Sequence, residues 1–275
     1  MNLRSAAICL SFSVLVACGG KDAPDAKEQS SDARPTTAEP SAATADAAQL
    51  TTVVVASDWF SYHETGEDLV RGYFAYPQEM VEPMPAVLLI HDWRGLDQSM
   101  RDVADRIAAA GYMVFAVDFF NGRTADNAQD AAALARELLE QTDEAESNLL
   151  DAYQFVTETA GAPKVAAVGW SMGGYWAVRS ARLLPGQVSS VVNVYGQLDG
   201  DPEAIAATDA AALMIVAGND RAAPMALQQE ILSAADAADR RFEFRRFADV
   251  SVGFANEGGP RYEPQIAAEA WRAIF

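Results

Sequence analysis

The most informative stretch of this chain is Val165-Ala166-Ala167-Val168-Gly169-Trp170-Ser171-Met172-Gly173-Gly174. Its first four residues predict a buried strand, because short continuous apolar runs are typical of parallel sheets. Residues 175–184 predict a helix that ends before a Pro-Gly pair. The G-x-S-x-G pattern between them, centred on Ser171, is typical of a nucleophile elbow. A glycine-rich turn with an incidental serine is the alternative interpretation.

The composition indicates one large α/β domain or two small ones. The chain has 275 residues, of which 50% are hydrophobic, enough to bury a sizeable core. The net charge of −19 repels phosphate backbones, so we expect no nucleic-acid partner. Two scattered histidines make no zinc cluster, and the chain lacks a G-x-G-x-x-G fingerprint. We therefore expect neither a metal nor a cofactor.

The N-terminal segment is typical of a targeting signal. Arg4 precedes an apolar run over residues 5–16 that is too short to span a bilayer. Leu15-Val16-Ala17-Cys18 resembles the lipobox of bacterial lipoproteins, which implies cleavage after residue 17 and a lipid anchor at Cys18. We therefore expect a lipoprotein of the cell envelope, facing the periplasm or the outer membrane. An ordinary secretory signal with an incidental cysteine is the alternative.

The following segment, residues 18–50, is predicted to be a disordered tether. It is rich in Ala, Asp, Ser, Thr and Pro and contains no aromatic residue, so it has little apolar surface to bury. The folded domain is therefore predicted over residues 51–275.

Apolar strands alternate with amphipathic helices in that domain. Besides the elbow strand, strands are predicted over residues 51–56, 68–76, 86–90, 112–117, 188–194, 213–217 and 241–247. Helices are predicted over residues 100–110, 125–140, 144–159, 224–238 and 264–275. This alternation predicts a mostly parallel sheet with helices on both faces. Ligands of such sheets bind at the carboxyl ends of strands, where the sequence places His91, Asp118, Ser171 and Asp220.

Several short motifs occur in the order typical of one family. Besides the elbow they are His91-Asp92-Trp93-Arg94-Gly95, Asp118-Phe119-Phe120, Gly218-Asn219-Asp220 and Val252-Gly253-Phe254-Ala255-Asn256. With these motifs the region 51–275 resembles the dienelactone hydrolase family of α/β-hydrolases. The resemblance implies an α/β-hydrolase fold and the hydrolysis of small carboxylic esters or lactones.

The resemblance also implies roles for individual residues. Ser171 stands at the nucleophile position and Asp220 at the position of the triad acid. The backbone N–H groups of Trp93 and Met172 stand where the family binds the oxyanion. Asp92 stands where some members place a nucleophile-contacting glutamate, and is a candidate substrate contact.

Arg123 is a second candidate substrate contact, near the arginine with which some members bind a substrate carboxylate. A solvated surface charge is the alternative for Arg123, and an aspartate that closes a Gly-Asn turn is the alternative for Asp220. Four aromatic residues close to the elbow either line a pocket or pack in the core: Trp93, Trp170, Tyr175 and Trp176.

One departure from the family concerns the general base. The family histidine follows the penultimate strand in a His-Gly-Phe segment, and here that segment is Val252-Gly253-Phe254. Valine accepts no proton, and the whole chain contains only His63 and His91. His63 is expected on the surface, in the hairpin between the first two strands. His91 is the candidate substitute base, with a structural, hydrogen-bonded histidine as the alternative.

The sequence is therefore consistent with three functional hypotheses. The first is a lipid-anchored serine hydrolase of small esters or lactones. The second is a catalytically impaired family member that binds a ligand or a protein in the same pocket. The third is a structural lipoprotein. The intact elbow favours the first hypothesis. Val252 favours the second, because it stands in place of the family histidine.

Overall fold

The computed structural model describes residues 53–79 and 83–275, which form one eight-stranded sheet with helices on both faces. The strands are β1 (Val55–Thr65), β2 (Asp68–Pro77), β3 (Ala86–Ile90), β4 (Met113–Val117), β5 (Val165–Trp170), β6 (Val188–Val194), β7 (Ala211–Ala217) and β8 (Phe242–Phe247). They lie in the order β1-β2-β4-β3-β5-β6-β7-β8, and all pairs from β4 to β8 are parallel. Only β1–β2 and β2–β4 are antiparallel. The predicted fold class is confirmed.

Helices cover both faces of this sheet. They are α1 (Gln98–Ala109), α2 (Ala128–Glu140), α3 (Thr142–Gln154), α4 (Met172–Leu183), α5 (Pro202–Ala206), α6 (Met225–Ala237) and α7 (Pro264–Ile274). Helices α1 and α7 contribute to the apolar cluster on one face, and α2 to α6 contribute to the cluster on the other. Because both faces are covered, every residue of β3 and β4 is buried, which explains their unbroken apolar sequences.

Local capping accounts for two differences between the predicted and the observed helices, the later start of α2 and the additional helix α5. Asn127 accepts hydrogen bonds from the N–H groups of residues 129 and 130, so α2 begins at Ala128 and not at residue 125. The helix predicted over 144–159 becomes α3 followed by a π-helix, Phe155–Thr159. Helix α5, which was not predicted, is capped by Asp201 and begins with Pro202.

The first strand differs from its prediction. It spans Val55–Thr65 and not residues 51–56, and its partner is β2, across a turn at Gly66 with a φ of 62°. His63 lies within β1, with only 4% of its surface exposed, so its predicted surface position is wrong. Its Nδ1 lies 2.7 Å from Asp151 Oδ2 and its Nε2 lies 2.9 Å from Glu144 Oε1, both on α3. The ring therefore fastens β1 to α3.

The predicted signal segment, Cys18 and the predicted tether lie outside the described residues. Within the described ranges, none of the helices combines the length and the apolar character needed to cross a bilayer.

Candidate active site

The turn between β5 and α4 holds Ser171 in a strained backbone conformation. Its φ of 52° and ψ of −117° lie in a region that residues with a side chain rarely occupy. The turn is fixed by hydrogen bonds from Ser171 N–H to Val194 O (2.9 Å) and from Gly174 N–H to Ser171 O (2.9 Å). This strand–turn–helix geometry is that of a nucleophile elbow.

Glycine is required on both sides of Ser171. A Cβ atom at Gly169 would collide with the backbone of Gly173, and one at Gly173 would collide with the carbonyl groups of Ile90 and His91. The second contact brings the N-terminus of α4 against the end of β3. The loop that follows β3 is thereby placed next to the elbow.

The two predicted oxyanion donors are unpaired. Within the described part of the chain, neither Trp93 N–H nor Met172 N–H donates a hydrogen bond. The Trp93 loop is closed by a hydrogen bond from Gly95 N–H to Asp92 O (3.2 Å), which leaves Trp93 N–H free. Met172 is the first residue of α4, where backbone N–H groups have no partner within the helix. The site therefore offers two free backbone donors beside the strained serine.

Asp92 lies half-buried in the same loop. Its Oδ1 accepts a hydrogen bond from Arg94 N–H (2.8 Å). Burial raises the pKa of the Asp92 carboxyl group, and the Arg94 hydrogen bond opposes part of that shift. A carboxyl group with a raised pKa beside an elbow is typical of a functional site.

His91 is fully buried and both of its ring nitrogens have partners. Nδ1 lies 2.6 Å from the backbone oxygen of Asp92, and Nε2 accepts a hydrogen bond from Phe119 N–H (3.1 Å). These contacts join the loops that follow β3 and β4. They correspond to the alternative of a structural, hydrogen-bonded histidine. Neither ring nitrogen is free to accept the proton of Ser171. The hydroxyl of Ser171 itself has no hydrogen-bond partner among residues 53–79 and 83–275.

Asp220 lies in the turn after β7. Its Oδ1 accepts a hydrogen bond from Ala222 N–H (2.8 Å), so the carboxylate closes its own turn. Asn219 N–H donates to Val250 O (2.9 Å), which joins this turn to the loop carrying Val252. Val252 packs against the apolar cluster on the α7 side of the sheet. The turn of Asp220 and the loop of Val252 therefore lie next to each other, and the apolar side chain of Val252 stands where the resemblance implies an imidazole.

Arg123 forms an ion pair with Glu137, with distances of 2.9 Å and 2.7 Å from Nη1 and Nη2 to the two carboxylate oxygens. The Glu137 hydrogen bonds raise the pKa of the guanidinium group, and its Nε donates to Phe120 O (3.0 Å). The guanidinium is therefore engaged within the protein. Of the elbow aromatics, Trp170 and Trp176 are core residues with 3% and 1% exposure, whereas Trp93 is 38% exposed.

Tyr195 is a site residue that the sequence interpretation missed. It directly follows β6, has a φ of 44°, and is 7% exposed. The next residue, Gly196, packs so closely on the carbonyl of Ser171 that a Cβ there would collide with it. The available signal was its position at the carboxyl end of a parallel strand, directly before a glycine.

The fold and the elbow define the chain as an α/β-hydrolase. A model of the dienelactone hydrolase family matches residues 70–275, and the chain belongs to that family. A relative from Aquifex aeolicus, with the provisional name carboxymethylenebutenolidase, is 29% identical over 217 residues. That alignment covers 74% of this chain and 89% of the relative.

Solved structures show the same fold at lower sequence identity. The dienelactone hydrolase of Anabaena variabilis superimposes with a TM-score of 0.61 at 21% identity, covering 80% of this chain and 95% of that protein. A dienelactone hydrolase-like promiscuous phosphotriesterase from metagenomic libraries gives a TM-score of 0.70 at 17% identity, with the same coverage.

Replacing Gly173 tests the contact between α4 and β3. We expect Gly173→Ala to lower the free energy of unfolding by about 1–3 kcal/mol, because its Cβ meets backbone carbonyls that have no room to move. Urea denaturation measures the change. The control is Gly200→Ala, whose Cβ would approach only the flexible end of Leu227, at 2.8 Å. Equal stability of the two variants would contradict the proposed contact.

The raised pKa of Asp92 predicts a pH-dependent cost in stability. A carboxyl group whose pKa is higher in the folded state destabilises the fold as the pH rises from its unfolded to its folded pKa. We therefore expect Asp92→Asn, which keeps an acceptor for Arg94 N–H, to be more stable than the parent at pH 7. Each unit of pKa shift corresponds to about 1.4 kcal/mol.

Urea denaturation at pH 7 and near pH 3 measures this difference. The advantage of Asp92→Asn is expected to vanish at the lower pH, where the carboxyl group is protonated in both states. An advantage of equal size at both pH values would show that ionisation of Asp92 is not its cause.

Proposed function

We propose that this protein hydrolyses small carboxylic esters or lactones through Ser171. The observation that carries the proposal is the strained elbow with two unpaired backbone N–H groups, of Trp93 and Met172, beside it. Membership of the dienelactone hydrolase family supports ester or lactone chemistry. The name of the Aquifex relative, carboxymethylenebutenolidase, supports a lactone as substrate.

The geometry supports acyl transfer in two steps. The Ser171 hydroxyl oxygen attacks the carbonyl carbon, and the carbonyl oxygen becomes an oxyanion held by the N–H groups of Trp93 and Met172. Collapse of this intermediate breaks the bond to the alkoxy oxygen, which takes up the proton given up by Ser171, carried by solvent water, and becomes an alcohol. Water then hydrolyses the acyl-enzyme. The oxyanion donors supply electrostatic stabilisation, while transfer of the serine proton has no imidazole to accept it.

The lack of a general base determines the turnover rate that we expect. In subtilisin, loss of the catalytic histidine lowers turnover about a million-fold and leaves a rate roughly a thousand-fold above that in water. We infer slow turnover for this chain for the same reason, because Val252 occupies the family position and both ring nitrogens of His91 are engaged.

Restoring the imidazole tests this proposal. We expect Val252→His to raise kcat for a short p-nitrophenyl ester by about 10²–10⁴-fold, the usual contribution of a general base. The turn of Asp220 is joined to the loop of residue 252, so the new imidazole has an acid partner nearby. The parent and Ser171→Ala are measured alongside it, and we expect Ser171→Ala to abolish the residual turnover.

The outcomes separate the explanations. Fast turnover by the parent that Ser171→Ala abolishes would reveal another base, with His91 the first to be replaced. Inactivity of all three proteins would contradict the placement of the elbow and of the histidine loop.

A ligand-binding or protein-binding family member that does not turn over is the second candidate. The observation that favours it is the apolar packing of Val252 where the family has histidine. Equal, background activity of the parent and Ser171→Ala, with a gain in Val252→His, would support this candidate over the first.

We also propose that the protein is a lipoprotein of the cell envelope, anchored through Cys18. The lipobox-like Leu15-Val16-Ala17-Cys18 supports this, and the polar segment after it supplies a spacer. In a bacterial host we expect the parent in the membrane fraction with a covalently attached acyl chain. Cys18→Ser is expected to lose both. Membrane fractionation and mass spectrometry measure them, and an unacylated parent would contradict the anchor.

A further inference from the structure

Strand β8 forms one edge of the sheet, and in the described part of the chain it pairs with β7 alone. Its register against β7 runs without a bulge, and the strand contains no proline. The opposite edge, β1, has a bulge between Ser61 and His63, a feature that disfavours pairing with a further strand. Strand β8 is therefore the edge of this sheet that is open to another strand.

The backbone groups at this open edge belong to alternate residues of β8. Ala212 N–H donates to Arg241 O (2.8 Å) and Gly218 N–H donates to Phe247 O (2.6 Å), so the odd-numbered residues of β8 face β7. The even-numbered residues direct their N–H and C=O groups to the open edge: Phe242, Phe244 and Arg246. Among residues 53–79 and 83–275, no backbone group pairs with them.

The side chains of β8 alternate between the two faces of the sheet. Phe242 and Phe244 pack against the apolar cluster on the α6 side, and Phe247 packs against the cluster on the α7 side. Glu243 and Arg245 therefore lie on the α7 side. Arg245 Nε is 2.7 Å from Glu243 Oε1, and 60% of the arginine and 59% of the glutamate side chain are exposed. The ion pair is thus accessible to a strand that pairs with β8.

The open edge fits a second copy of itself in one register. In antiparallel pairing of β8 with its copy, a two-fold axis perpendicular to the sheet keeps each face on its own side, so directly opposite residues share a face. With the axis at Phe244, this residue lies opposite its own copy, and Phe242 lies opposite Arg246. All the outward backbone groups are then hydrogen-bonded. Moving the axis to either neighbouring residue leaves Phe242 or Arg246 opposite a residue outside the strand.

The charges of β8 favour the same register. With the axis at Phe244, Glu243 of each copy lies directly opposite Arg245 of the other copy, so opposite charges face each other twice. An axis at Glu243 places the two glutamates opposite each other, and an axis at Arg245 does the same with the two arginines. Like charges in directly opposite positions destabilise a strand pair. Hydrogen bonding and charge therefore agree on one arrangement.

We propose that two copies of this protein associate by antiparallel pairing of β8, which joins their sheets into one continuous sheet. Charged side chains on an edge strand usually oppose pairing with other chains. Here Glu243 and Arg245, two positions apart and opposite in sign, oppose pairing with most strands but complement the strand's own copy. The inference goes beyond the proposed function and does not involve Ser171.

The test exchanges the charges of β8. The full chain is purified in a non-ionic detergent, and its mass is measured by sedimentation velocity over a range of concentrations. We expect a dimer for the parent. Glu243→Arg or Arg245→Glu alone is expected to weaken the dimer by at least about tenfold, because like charges then lie opposite each other. The double variant Glu243→Arg/Arg245→Glu is expected to dimerise as the parent does, because opposite charges face each other again.

Mixing the two single variants gives a second measurement. In a heterodimer of Glu243→Arg with Arg245→Glu, two arginines of one chain face two glutamates of the other. We expect this heterodimer to form about as tightly as the parent dimer, which also shows that both variants are folded. The control is Glu137→Arg, the same change of charge in an exposed ion pair with Arg123 on a different element, α2. We expect it to keep the parent dimer.

The proposal is overturned if the parent is a monomer at every concentration, or if the single reversals leave its dimer intact, since the interface would then lie elsewhere. It is also overturned if neither the double variant nor the mixture restores the dimer, because opposed charges would then not explain the loss. A monomeric parent that purifies with a different protein bound would likewise overturn it.

Discussion

The close approach of α4 to the end of β3 is the contact on which the site depends. Only glycine at position 173 lets the backbone of α4 lie against the carbonyl groups of Ile90 and His91. This contact places the loop after β3 beside the first turn of α4. The loop that carries the unpaired N–H group of Trp93 thereby lies next to the turn that carries Ser171 and the unpaired N–H group of Met172. The strain at Ser171 is sustained by this packing and by the hydrogen bond to Val194.

The two histidines of the chain are used to hold the scaffold together. His63 fastens β1 to α3 through Glu144 and Asp151, and His91 fastens the loops after β3 and β4 to each other. Both nitrogens of each ring have a partner, so neither histidine has a free nitrogen. The site therefore combines two unpaired backbone N–H groups at the elbow with an apolar residue, Val252, in the loop joined to the turn of Asp220. Under the proposed function, proton transfer from Ser171 limits the rate.

Much of the fold could be predicted from local pattern. The fully buried strand β3 has a continuous apolar sequence, and its observed bounds are those predicted, because burial on both faces leaves no ambiguity about which residues are strand. The observed bounds of β6 are also those predicted. The first strand was misplaced because it lies at the edge of the sheet and carries polar residues between its apolar ones, so it has no continuous apolar run. Helix α5 is only five residues long, too short for a periodic signal.

The sequence by itself determined the α/β architecture, the elbow around Ser171 and the absence of a histidine after it, because each follows from residue identity or from a short local pattern. The tertiary structure decided which groups surround each of these side chains. Glu144 and Asp151, which bind His63, lie 81 and 88 residues away from it along the chain, a pairing that no local pattern contains. The same holds for His91 and Phe119, whose loops meet because the neighbouring parallel strands β3 and β4 end at a common edge of the sheet.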